Sequence, residues 1–282
     1  MGIQKRAVCI NDISGIGRCS ITVASPILSS AGIETSVLPT ALLSTHTGGF
    51  DSYSFLDLTD EMTRIIGEWK KLGITFDAIY SGYLGSVKQI NTVSNFIDTF
   101  KAKNTLVMVD PVMGDSGRYY AGFTDDYIED MKKLCGKADI IVPNMTEALF
   151  LLGREYTDGP YTEEYIKEIL VEITKTGCKK AVLTGVHYDR THVGAASYDA
   201  ENGVFDSALL PRIEGFYHGT GDVFASALLA CLMNGKNLAQ ATRIAVNFTH
   251  NSIERTYKAQ KDTRYGVMFE KELPDLIKAL QP

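Results

Sequence analysis

Short apolar runs of strand length alternate with longer segments of helical periodicity, and this alternation constrains the fold more than any other feature of the chain. Runs at 7–10, 36–38, 78–80, 106–110, 140–142 and 181–184 read as short buried strands. Between them, segments such as 90–100 and 165–176 repeat apolar residues at three- and four-residue steps. Strands alternating with helices imply βαβ units and a largely parallel sheet, hence an α/β protein. Segments 192–198 and 204–210 read instead as an antiparallel pair around Asn202-Gly203. No internal repeat, low-complexity tract or Pro/Gly-rich linker interrupts the pattern, so residues 1–282 are expected to form a single domain.

Composition removes several classes of function. The formal charge is -6 and no run of Lys or Arg stands out, which argues against a nucleic-acid partner. The apolar runs are strand-sized, far short of the roughly 20 residues that span a bilayer. Residues 1–6 lead directly into the first strand-like run, so no signal peptide is expected. The 5 cysteines are scattered with no CxxC pair, which disfavours a disulfide framework or structural zinc and suits a reducing cytoplasm.

In open parallel sheets, ligands bind beyond the carboxyl ends of the strands. The motifs of this chain cluster there. Asn11-Asp12 follows the first run, Ser81-Gly82-Tyr83 the third, Asp110-Pro111 the fourth, Pro143-Asn144 the fifth and Thr184-Gly185 the sixth. His218-Gly219-Thr220-Gly221-Asp222 then precedes an apolar helical segment. A helix start has N–H groups without partners and a dipole that favours anions, and glycines let a phosphate approach the backbone. An acid in such a place repels an anion unless it has a task, and Asp222 is suited to take a proton from an attacking hydroxyl. The same residues also suit an ordinary helix start with an acid in its first turn.

The other motifs carry similar alternatives. Asp110-Pro111-Val112-Met113-Gly114-Asp115 pairs two carboxylates around a turn, which suits magnesium beside substrate phosphates and equally suits a plain Pro/Gly turn. At Asn144-Met145-Thr146-Glu147, Asn144 or Thr146 could cap a helix, or Asn144 and Glu147 could join a metal-water and phosphate network. The glycine-bearing stretch 12–20 is neither a Walker loop nor GxGxxG, since Ser20 stands where the last glycine belongs. It reads as a loop over which a flat ligand lies close to the backbone. Residues 44–49 offer hydroxyls and an imidazole for hydrogen bonds to a polar ring. His187 and His192 read as ordinary loop residues, and Cys19 and Cys231 as structural.

Taken together, the Gly219–Asp222, Asp110–Asp115 and Asn144–Glu147 motifs resemble the ribokinase superfamily over essentially the whole chain. Ser44-Thr45-His46-Thr47 and Ser81-Gly82-Tyr83-Leu84-Gly85-Ser86 are more specific and resemble its vitamin B6 (pyridoxal/pyridoxamine) kinases. The resemblance implies a three-layer α/β/α fold, commonly a homodimer, and ATP-dependent phosphorylation of the 5′-hydroxymethyl group of a B6 vitamer. It makes Asp222 the base and Gly219, Thr220 and Gly221 the anion hole. Asp110, Asp115 and Glu147 would organise magnesium, with a monovalent cation as a further candidate. Asn144 and Thr184, with Asp110, would face ATP, and Thr47 and Tyr83 would line the pyridine pocket.

One departure stands out. Many B6 kinases carry Gln-Ser after the first strand, whereas this chain has Asn11-Asp12, in a loop that resembles the hydroxymethylpyrimidine kinases. Asp12 is therefore expected to contact substrate and to favour a cationic vitamer such as pyridoxamine. Hydroxymethylpyrimidine phosphorylation is the nearest rival activity. A non-catalytic vitamer-binding protein is the rival from a different class, disfavoured by the intact Asp222, Asp110 and Glu147. A sugar kinase is disfavoured by the lack of an N-terminal set of polar groups for sugar hydroxyls.

Overall fold

The computed structural model of the protein describes residues 4–120 and 123–281; residues 1–3, part of the segment read for a leader, lie outside that range. A nine-stranded sheet organises the chain. Its centre is parallel: β9 (Lys180–Val186), β8 (Ile140–Ile141), β5 (Leu106–Val109), β4 (Ala78–Ser81), β1 (Arg6–Ile16) and β2 (Glu34–Thr45) lie side by side in that order. Antiparallel strands finish both edges. β3 (Phe55–Asp57) pairs with β2, and the hairpin β10 (His192–Asp199) and β11 (Val204–Pro211) pairs with β9. A separate two-stranded ribbon is formed by β6 (Gly114–Asp115) and β7 (Arg118–Tyr119).

Side chains of a strand alternate between faces, and both faces here are covered. On one face Val8, Ile10, Ile79, Val107 and Val109 pack beneath α2 (Thr59–Lys71), α3 (Val87–Phe100), α4 (Asp125–Cys135), α5 (Met145–Leu152) and α6 (Glu163–Thr174). On the other, Ala7, Cys9, Ala78, Tyr80 and Met108 meet α1 (Ile21–Ser30), α7 (Thr220–Met233), α8 (Leu238–Lys258) and α9 (Leu273–Leu280). The result is the expected three-layer α/β/α architecture. α7 is apolar almost all round because it lies inside the second layer, with Val223 and residues 225 and 227–231 fully buried. Each of its buried leucines contributes about 1.5–3 kcal/mol relative to exposure. This burial anchors the helix whose N-terminus carries the Gly219–Asp222 motif.

Two stretches read as loops are strand. β1 runs through Asp12, Ser14 and Gly15 to Ile16, and β2 runs through Ser44 to Thr45, with Ser14 opposite Leu43 and Ile16 opposite Thr45. Glycine and hydroxyl residues hide this ribbon from an apolar-pattern reading, while the ladder supplies its hydrogen bonds. A one-residue bulge in β2, between Asn11↔Pro39 and Ile13↔Leu42, twists the ribbon opposite Asp12. His192, also read as a loop residue, opens β10. Among the described residues no helix is long and apolar enough to cross a membrane.

Candidate active site

The expected residues converge at the carboxyl ends of β1, β4, β5 and β8 and at the start of α7. Gly219 is the N-cap of α7 at φ +73°, and no side chain caps the first turn. The leading N–H groups of this helix are therefore available to an anion. Gly219 also packs against residue 18: a Cβ there would lie 2.0 Å from the Arg18 carbonyl oxygen.

Asp222 sits in the first turn, held from β1 and from the start of α1. The Ser20 N–H donates to its Oδ2 at 2.9 Å, and Asn11 Nδ2 donates to its Oδ1 at 3.4 Å. Burial pushes the Asp222 carboxyl up to about 6, and nearby Asp12 adds to the rise against the Ser20 N–H. A base with a pKa near the working pH suits general-base chemistry.

Asn11 is 1% exposed and joins two parts of the site. Its Oδ1 accepts the Tyr83 N–H at 2.9 Å and the Asp12 N–H at 3.0 Å. Tyr83 is half-buried, its ring 6.1 Å from that of Phe123, and burial raises its phenol, followed by Asp12. Thr47 is exposed on the turn after β2. That turn is fixed by His46, whose Nδ1 accepts the Gly48 N–H at 3.1 Å and whose Nε2 donates to the Arg264 carbonyl. The His46 ring lies 4.7 Å from that of His218, the residue before Gly219, so the turn carrying Thr47 adjoins the segment that leads into α7.

Asp12, expected to contact substrate, is bonded within the fold. It is 5% exposed, and each carboxylate oxygen accepts one hydroxyl: Ser20 Oγ donates to Oδ1 and Ser14 Oγ to Oδ2. Burial raises its pKa and these two hydroxyls lower it.

A second group lies at β5 and α5. Asn144, not Thr146, caps α5, in a reciprocal capping box with Glu147. The Glu147 oxygens accept the Met113 N–H at 3.1 Å and the Asn144 N–H at 2.9 Å, while Asn144 Nδ2 donates to the Gly114 carbonyl. Thr146 Oγ1 accepts the Gly117 N–H at 3.0 Å. The β6–β7 ribbon bearing Asp115 is thus tied to the start of α5. Thr184 bridges to Asn144 across the sheet end, its N–H donating to the Pro143 carbonyl at 2.9 Å.

Burial pushes Glu147 up to about 8, and raises Asp110 well above the usual carboxylate range, with Glu147 and then Asp222 adding to it. Among the described residues no Lys or Arg pairs with Asp12, Asp110, Glu147 or Asp222. Asp110, 8% exposed, carries no side-chain hydrogen bond among the described residues. Two adjoining buried acids without a cation fit a hydrated magnesium ion, which takes few carboxylates and keeps several waters. No three such side chains converge as a full cage among the described residues.

The chain matches the phosphomethylpyrimidine kinase family model over residues 32–266. A Bacteroides thetaiotaomicron protein assigned as a phosphomethylpyrimidine kinase, solved with pyridoxal, is 41% identical with a TM-score of 0.93, covering 97% of this chain and 96% of that one. The pyridoxal kinase of Lactobacillus plantarum is 31% identical with a TM-score of 0.89, covering 98% of each chain. The curated pyridoxal kinase of Dictyostelium discoideum is 28% identical over 65% of this chain, which spans 63% of that protein's length. This chain belongs to the phosphomethylpyrimidine kinase family and stands within it among the pyridoxal kinases.

Proposed function

We propose that this kinase transfers the γ-phosphoryl group of ATP to the 5′-hydroxymethyl group of pyridoxal, pyridoxamine or pyridoxine, a salvage route to the 5′-phosphate. The observation that carries the reading is Asp222: a carboxylate at an uncapped, glycine-bearing helix start, held by Ser20 and Asn11 and without a cationic partner among the described residues. Asp222 takes the hydroxyl proton, the substrate oxygen bonds to the γ-phosphorus, and the bond to the bridging oxygen breaks to release ADP. The N–H groups at Gly219, Thr220 and Gly221 stabilise charge on the transferring oxygens. Thr47 and Tyr83 line the ring pocket, and Asn144 and Thr184, with Asp110, face the nucleotide. Asp110 and Glu147 would hold a hydrated magnesium ion, with Asp115 reaching it through water, and the ion would supply charge neutralisation at the phosphates when bound; no residue is assigned to a monovalent cation.

The closeness of a relative solved with pyridoxal supports a B6 ring as substrate. The family model is named for the pyrimidine reaction, which makes hydroxymethylpyrimidine the comparison substrate. The test is an ATP/Mg²⁺ assay with the three vitamers and hydroxymethylpyrimidine side by side. Turnover of a vitamer with little on the pyrimidine is expected; preference for the pyrimidine overturns the substrate assignment, and no turnover overturns the kinase reading. A homodimer belongs to the proposal, supported by exposed Leu42, Phe55 and Leu56 at the β2–β3 edge and tested by sedimentation. A cytoplasmic setting is supported by five buried, unbridged cysteines.

A further inference from the structure

We infer that Asp12 and Ser20 are positioning residues for Asp222: the Asp12 carboxylate fixes Ser20 in a left-handed backbone conformation, which aims the Ser20 N–H at the base. The inference rests on the proposed kinase reading and deepens its account of the base.

Ser20 has φ 56° and ψ -127°, a conformation that a residue with a side chain adopts only when its surroundings impose it. The restraints are visible. Its hydroxyl donates to Asp12 Oδ1, and its carbonyl accepts the Val23 and Ala24 N–H groups at 3.1 and 2.9 Å as α1 begins. Asp12 is itself fixed by the Ser14 hydroxyl at 3.1 Å and by its own N–H to Asn11 Oδ1 at 3.0 Å. Ser20, anchored on both sides, presents its N–H to Asp222 Oδ2 at 2.9 Å. Asn11, the neighbour of Asp12 on β1, approaches the other oxygen.

Adjacent residues of one strand thus determine both contacts to the base. A carboxylate oxygen has two acceptor sites, so one N–H on each oxygen orients the group and leaves acceptor capacity for a substrate hydroxyl. A buried acid at position 12 adds repulsion toward Asp222, so its presence is explained by the hydroxyl it holds and not by charge.

The test measures kcat and KM for pyridoxal in Asp12→Ala, Asp12→Asn, Ser20→Ala and Ser20→Gly, with and without Asp222→Asn. A misaligned base lowers kcat by about 10- to 100-fold in Asp12→Ala and Ser20→Ala, with little change in KM. Asp12→Asn, whose amide oxygen still accepts the Ser20 hydroxyl, recovers most of kcat. Ser20→Gly, which adopts positive φ without an anchor, loses less than Ser20→Ala. In the Asp222→Asn background the Ser20→Ala loss disappears, because the two residues act as a unit. A raised KM with unchanged kcat in Asp12→Ala would instead make Asp12 a substrate contact and overturn the inference. An equal Ser20→Ala loss in both backgrounds overturns it too, as does a Ser20→Ala variant as fast as the parent. If the parent itself turns over no vitamer, the kinase reading fails before any variant is compared.

Discussion

Asn11 occupies the space that a side chain at residue 82 would need: a Cβ on Gly82 would lie 2.4 Å from Asn11 Nδ2 and 2.8 Å from its Cγ. Gly82 is therefore a glycine because β4 ends at Ser81 beside Asn11 of β1, whose side chain fills the space over that end. The Gly82→Ala variant must push Asn11 off both Asp222 and the Tyr83 N–H. We expect it to destabilise the fold by about 1–3 kcal/mol, as overpacking does, and to lower kcat. Combining it with Asn11→Ala should restore stability but not kcat. Denaturant unfolding alongside kinetics checks this, and a fully active Gly82→Ala protein would break the link between Asn11 and the base.

The pH profile follows from Asp222. Its pKa is raised to about 6, and it must be ionised to accept a proton. The acid limb of kcat/KM should therefore fall as pH drops through about 6 and level off above it, since that profile reports the free enzyme. Replacing Asp222 with Asn should lower kcat by about 10²–10⁴-fold, the usual loss for a general base, and flatten that limb. A profile flat from pH 5 to 7 in the parent would remove Asp222 from the role.

The legible part of the site lies where sequence marks strand ends. Asp110-Pro111, Pro143-Asn144 and Ser81-Gly82 punctuate apolar runs, and the Asn202-Gly203 turn separates β10 from β11. What could not be read arises from contacts between distant residues. Asn11 and Asp222 are 211 residues apart, so no local pattern foretells their bond. Ser20 occupies a glycine-like conformation that its residue type disfavours, and its cause is a carboxylate across the ribbon. Asp12 looked like a substrate contact because its neighbours resemble a ligand loop. Only the folded structure shows the Ser14 and Ser20 hydroxyls bonded to its two oxygens.

Gly219 joins the anion loop to the start of α1. It holds φ +73°, and a Cβ would lie 2.0 Å from the Arg18 carbonyl oxygen, a backbone atom that cannot swing aside. Gly219→Ala must shift either the 18–20 segment or the start of α7. The left-handed conformation alone costs a residue with a Cβ roughly 1–2 kcal/mol. We expect loss of thermal stability and a fall in kcat larger than the same change at Gly221, where a Cβ would meet open space. Equal kinetics for Gly219→Ala and Gly221→Ala would contradict this.

The Asp110–Glu147 pair sets a dependence of stability on pH and on magnesium. Burial raises both carboxyls, Glu147 to about 8. A carboxyl raised in the folded state contributes stability below its unfolded pKa, about 4.3 for Glu, and loses that contribution as pH rises through the folded value. Most surface acids are already ionised at pH 6 and the thiols of the unfolded chain titrate above pH 8, so the pair contributes a falling stability over the interval from pH 6 to 8. Without divalent cations, Tm should fall across that interval. Magnesium at about 100 times its Kd should add about 2.7 kcal/mol of stability, raising Tm by several degrees and by more at pH 8 than at pH 6. Asp110→Asn should remove most of the magnesium-dependent rise while leaving the capping box of Glu147 in place. A magnesium shift of the same size in that variant would move the metal away from Asp110.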